Sequence, residues 1–157
     1  MRGRGFSMIE LLVVLGLIGL LVAVSLPNLS TPKRRALESR AMAHGAAVSQ
    51  AVSNYLAVYL SVDPATLMAS LQGVLPAANW SGAPAAASAG NTSTDRSCTG
   101  AYTLTAPTGG ATAYSWPQAP VGVGCVIGLR SAGGVSRISV YTWLAGSGRW
   151  YLNGQQQ

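Results

Sequence analysis

Charge is scarce in this chain, and acid is scarcer than base. Ten of its 157 residues are Lys or Arg and four are Asp or Glu, so charged side chains make up 9%, where about a quarter is usual. The four acids, Glu10, Glu38, Asp63 and Asp95, are too few and too dispersed for paired general acid–base work. Histidine occurs once, at His44, and a lone imidazole lacks the cluster that metal binding or nucleophilic catalysis requires. We read it as structural. There is no glycine-rich phosphate-binding motif, and no cofactor is expected. Cys98 and Cys125 are the only cysteines, and two thiols with one distant imidazole make a poor metal or redox site. The expected role is not enzymatic.

What the chain has is a long apolar run. Leu11 to Pro32 covers 22 residues without a charge. As a helix rising about 1.5 Å per residue it would be roughly 33 Å long, close to the ~30 Å of a bilayer's hydrocarbon core. Glu10 stands at the mouth of this run, and an ionised group deep in lipid costs about 2.5–3.5 kcal/mol. A carboxylate kept there implies a partner. Arg2 and Arg4 precede the run and would hold that end in the cytoplasm. Pro27 removes a backbone donor and clashes with the preceding turn, and Pro32 repeats the effect, so the stem is expected to be interrupted between them. Two competing readings are an ordinary secretory signal cut near Ala23-Val24-Ser25 and a plain signal anchor. Glu10 argues against the secretory signal, as does a run longer than the usual ~7–15 residues.

Residues 1–30 resemble the type IV pilin and pseudopilin family, on Gly5, Phe6 and Glu10 at that family's spacing, then the apolar stem and Pro27. The resemblance implies an α+β pilin fold, a long N-terminal helix packed on an antiparallel sheet of roughly four strands. It also implies a leader over residues 1–5, a transmembrane and filament-core helix half over 6–32, and a periplasmic or extracellular globular domain over 33–157. Gly5 would be the last leader residue; prepilin peptidase would cut the Gly5–Phe6 bond and N-methylate Phe6. Glu10 would pair with the Phe6 amine of a neighbouring subunit, and Pro27 would shape the assembly helix. Such a pair among leucines attracts far more strongly than in water, and only one stagger between helices lets both charges meet.

The partners so implied are further copies in a helical filament, the peptidase, an inner-membrane assembly platform and, before assembly, the inner membrane itself. The mature subunit would end in a cell-surface pilus, supporting adhesion, twitching motility or DNA uptake. The alternative is a minor pilin or pseudopilin of a competence or type II secretion system. No acidic residue follows Asp95, a departure from the calcium-binding loop of major secretion pseudopilins.

Beyond Pro32, Lys33, Arg34 and Arg35 form a basic turn, a poor charge choice for a helix start. Leu37, Ala41, Val48, Val52, Tyr55 and Tyr59 then recur at helical steps, with Leu56 and Leu60 widening the stripe and an end expected near residues 61–63. Residues 65–75 suggest one short helix, and residues 80–94 a surface loop. Strands are expected over 101–106, 124–130, 135–144 and 149–152, separated by Gly133-Gly134 and Gly146-Ser147-Gly148. In an exported chain Cys98 and Cys125 are expected to pair, adding roughly 3–4 kcal/mol on the entropic account. The 32-residue tail after Cys125 departs from the usual C-terminal disulfide loop of major pilins.

The formal charge of +6 falls to +4 if Arg2 and Arg4 leave with a leader. Arg130, Arg137 and Arg149, interleaved with Tyr141, Trp143, Trp150 and Tyr151, suggest contact with DNA through phosphates and stacking. Subunit packing and a soluble surface are the competing reading of the same residues.

Overall fold

The computed structural model describes residues 7–25, 30–107 and 113–157. The leader, Gly5, Phe6 and Pro27 lie outside the described residues, as do residues 28 and 29 of the expected interruption between Pro27 and Pro32. The chain divides into two compact units, Met1–Ala36 and Leu37–Gln157.

Helix α1 (Met8–Ser25) is built almost wholly from Leu, Val, Ile and Gly, with Glu10 its only charged residue. Helix α2 (Ser30–Val58) starts early enough to hold Pro32 in its first turn, where a missing backbone donor costs nothing. Within the second unit, α2 buries Ala41, Val48, Ala51, Val52 and Tyr55, the face that its spacing predicts. Leu60 is the exception at 87% exposure, because α2 ends at Val58 and Leu60 lies in the turn beyond it. Helix α3 (Pro64–Val74) follows at once. The Asp63 carboxylate caps it by accepting the Thr66 N–H at 2.6 Å, and Pro64 opens the first turn. Leu67, Met68 and Leu71 turn inward from α3.

The remaining elements are the short helix α4 (Ala85–Ser88) and strands β1 (Arg96–Ser97), β2 (Tyr102–Leu104), β3 (Tyr114–Trp116), β4 (Val123–Ala132), β5 (Val135–Leu144), β6 (Trp150–Leu152) and β7 (Gln155–Gln156). Among the described residues the main sheet has five strands in the order β1-β4-β5-β6-β7, every neighbouring pair antiparallel. This is the expected α+β architecture with one more strand than anticipated. The strand expected over 101–106 pairs instead with β3 in a separate two-stranded sheet. That hairpin is anchored by Trp116, fully buried, whose indole N–H donates to the Gly100 carbonyl at 3.1 Å. The Tyr55 hydroxyl on α2 donates to the Thr105 carbonyl at the hairpin's other end.

β4 and β5 form the long hairpin that dominates the sheet, turning at Gly133-Gly134 as expected. Asn153 and Gly154 turn β6 into β7 with φ of 51° and 80°, the left-handed pair that a two-residue hairpin turn requires. Asn153 also ties the turn back to β5, accepting the Val140 N–H on Oδ1 at 2.9 Å. The core lies where Val48, Val52 and Tyr55 of α2 meet Leu67 and Leu71 of α3, Ile127 and Val140 of the sheet, and Trp116. Cys98 and Cys125 are bonded to each other within that core.

Alternation places Val140 and Thr142 toward α2 and Tyr141 and Trp143 on the opposite face of β5. That second face is not bare. Trp80, expected in a surface loop, lies parallel to Trp143 with ring centroids 5.5 Å apart, and Trp143 is 1% exposed. Gly124 sits opposite Trp143 in the β4–β5 register, and any side chain there would occupy the space of the Trp143 indole.

Candidate functional site

The first unit presents a helix with no polar side to turn to water. Twelve large apolar side chains between Met8 and Val22 are exposed, from Val14 at 45% to Met8 at 84%. Full burial of such a side chain is worth about 1.5–3 kcal/mol, so covering what these twelve leave open would gain on the order of 10–20 kcal/mol. That matches or exceeds the whole stability of an ordinary domain, about 5–15 kcal/mol. Water is therefore an unfavourable solvent for this face of α1. Among the described residues no helix is long and apolar enough to cross a membrane. The 18 residues of α1 rise about 27 Å, just short of a ~30 Å hydrocarbon core, and the apolar run continues into residues 26–29, which lie outside the described set.

Glu10 is exposed in the first turn of α1, where a negative charge is favoured by the helix dipole. The Ser7 carbonyl accepts the Leu11 N–H at 3.2 Å, so Ser7 stands at the N-cap position just before α1. Ser7 and Glu10 therefore have the spacing of a capping box, a local signal that the reading of Glu10 as an assembly acid had passed over. Either Glu or Gln serves that local purpose, whereas only Glu can meet a cation.

The three arginines singled out for nucleic acid go to different places. Arg130 grips Asp95 with both ends of its guanidinium: Nη1 donates to Oδ1 at 2.8 Å and Nη2 to Oδ2 at 2.9 Å. Its Nε donates to the Tyr141 hydroxyl at 3.1 Å, and the guanidinium carbon lies 5.1 Å from that ring's centroid. Asp95, 1% exposed, accepts two further bonds from the backbone N–H and hydroxyl of Thr92. Burial alone would push the Asp95 carboxyl up, but the bonds from Arg130 and Thr92 and the nearby positive charge outweigh it and hold it below the ordinary range. The same pairing raises Arg130. Gly128 makes room for this pair, because a Cβ there would collide with both partners. Arg149 donates from Nη1 to the nearly buried Glu38 on α2 at 2.9 Å. Arg137 is exposed on β5, opposite Arg130 in the register. Two of the three guanidinium groups are thus engaged by carboxylates of the same chain, while Arg137 lies beside Arg130 on the neighbouring strand.

His44 is 4% exposed, with Nε2 at 3.1 Å from the Cys98 carbonyl and Nδ1 without a partner among the described residues. Desolvation lowers its pKa, and the bond to Cys98 only partly offsets that. The contact ties the ring to the backbone beside the disulfide. Among the described residues no three His, Cys, Asp or Glu side chains gather closely enough to hold a metal ion.

The chain thus joins an exposed apolar helix with one acid in its first turn to a compact α+β unit. The family model of the prokaryotic N-terminal methylation motif matches residues 1–26. This is the type IV pilin and pseudopilin signal, and the α+β unit fits a pilin fold. No curated protein and no solved structure matches the chain.

Proposed function

We propose that the chain is the precursor of a structural subunit of a type IV pilus-like filament, and that its activity is assembly rather than catalysis. The observation that carries this reading is the match of the methylation motif over residues 1–26, joined to an apolar helix whose large side chains are exposed among the described residues. Prepilin peptidase cuts between Gly5 and Phe6 and methylates the new amine. The subunit waits in the inner membrane, anchored by its first helix, until an assembly platform draws it into the filament. Glu10 then meets the Phe6 amine of a neighbouring copy, and the apolar stems of successive copies bury one another.

Mass spectrometry of the mature protein tests the processing. The expected mass begins at Phe6 with one added methyl group and lacks two hydrogens for the disulfide; a start at any other residue overturns the reading. Replacing Glu10 tests assembly. Glu10→Gln keeps the capping-box spacing and removes the charge, so it should leave the subunit expressed and cleaved but exclude it from fibres. Incorporation at parental levels would remove the proposed role of the acid.

A further inference from the structure

On the sheet face turned away from α2, an open cleft of about 300 Å³ runs between Trp80 and the turn of residues 91–95. It belongs to the second unit. Its two walls are tied together. The Ala78 N–H donates to the Asp95 carbonyl at 3.1 Å, and Ala77 bridges to Arg96 in a single antiparallel pair. Thr92 and Asp95 direct their polar atoms inward, to each other and to Arg130. The Asp95–Arg130 ion pair therefore fixes one wall of the cleft.

Three groups remain available at its surface. Trp80 supplies a flat apolar wall, fixed from behind by Trp143 at an interplanar angle of 8° and from the side by the Tyr141 ring. The Asn91 amide and the Ser93 hydroxyl are exposed and make no side-chain hydrogen bond among the described residues. Among the described residues no Lys or Arg lines the cleft, and the Asp95 carboxylate on its wall is already paired with Arg130. The guanidinium groups nearest it are occupied, Arg130 by the Asp95 carboxylate and Arg96 by the Ser93 and Asp95 carbonyls, so the cleft offers an anion no free counter-charge. An indole wall beside an amide and a hydroxyl suits a ligand with an aliphatic C–H face and a rim of neutral hydroxyls. The volume is at the lower end of ligand clefts, about 300–1,000 Å³, which suits a single ring.

We propose that this cleft binds a neutral sugar residue, a hexose or N-acetylhexosamine, with Trp80 as the stacking wall and Asn91 and Ser93 as the hydrogen-bonding groups. The site is independent of the assembly reading and does not stand or fall with it. A ligand of so few atoms in an open cleft binds with a dissociation constant on the order of 1 mM.

The test is saturation-transfer NMR on the full-length chain in a detergent that carries no sugar, with glucose, galactose, N-acetylglucosamine and N-acetylgalactosamine as probes. At least one sugar should receive transfer on its ring C–H protons. Asn91→Ala and Ser93→Ala together should weaken binding about fivefold or more, and Trp80→Phe should weaken it too, while Arg137→Ala, on the same sheet but not lining the cleft, leaves it unchanged. Near-UV circular dichroism checks the fold of each variant, and the exposed Asn91 and Ser93 changes carry the test if Trp80→Phe disturbs the aromatic stack. Absence of transfer to all four sugars, or binding that the Asn91 and Ser93 changes leave within about twofold of the parent, overturns the proposal.

Discussion

Replacing Asp95 by Ala should be among the most damaging single changes outside the hydrophobic core. The carboxylate is almost fully buried and accepts four bonds, two from Arg130 and two from Thr92. Removing one member of a buried ion pair typically costs about 3–5 kcal/mol, because the other charge stays behind without its partner. Arg130 keeps 21% of its side chain in water and can be partly rehydrated, which puts the expected loss at the lower end, about 3 kcal/mol. In a domain of this size each kcal/mol shifts the melting temperature by about 4 °C, so a drop of roughly 12 °C is expected. The assay is thermal unfolding of the full-length chain in detergent, followed by near-UV circular dichroism, because the cluster of Trp80, Tyr141, Trp143 and Trp150 reports on this region. A double-mutant cycle with Arg130→Ala should return a coupling of about 1.5–3 kcal/mol.

The pH dependence has a definite sign. The folded pKa of Asp95 is depressed, so its contribution is complete above the unfolded value of about 3.9 and is lost as pH falls through the lower folded value. Asp95→Asn should therefore flatten the stability curve only below about pH 4. Melting of Asp95→Ala within about 2 °C of the parent, or a coupling under about 0.5 kcal/mol, would refute this account of the pair.

Other outcomes follow from the same structure. His44 is buried with a lowered pKa, so the fold should keep full stability above about pH 6.5 and lose some of it as pH falls toward the lower folded value. Thermal melts at about pH 7.5 and 5.5 should differ in the parent and differ less in His44→Asn. Reducing the disulfide, or replacing both Cys98 and Cys125 by Ala, opens a loop with a sequence separation of 27 and should cost about 3.5 kcal/mol on the chain-entropy account, measured by urea unfolding with and without reductant. Arg130→Ala and Arg149→Ala should act on stability, with no change in the mobility of DNA mixed with the protein at moderate salt.

Much of the fold was legible because its signals are local. The spacing of Ala41, Val48, Val52 and Tyr55 announced the buried face of α2, and residues 65–75 announced α3, although its cap Asp63 and its first residue Pro64 were not read as its start. The alternation of residues 135–144, ended by glycines on both sides, marked β5. One local signal was overlooked: Asn153-Gly154 is a strong hairpin turn pair and would have pointed to β7. Strands β1 and β3 carried no comparable mark. Two or three residues cannot establish a period, and these become strands only because β4 and β2 lie beside them.

The apolar stem, its lone acid and the cleavage motif depend on residue type and spacing along one stretch of chain, so they can be read without any fold. Partners from distant segments cannot. Whether an arginine faces a phosphate or a carboxylate depends on what the fold brings within 3 Å of it. Arg130 meets Asp95 across 35 positions and Arg149 meets Glu38 across 111. Trp80 likewise acquires its place only when the segment before β1 folds over the sheet onto Trp143. Short-range chemistry is written in order along the chain, whereas charge pairing and aromatic packing act through space and wait for the chain to close upon itself.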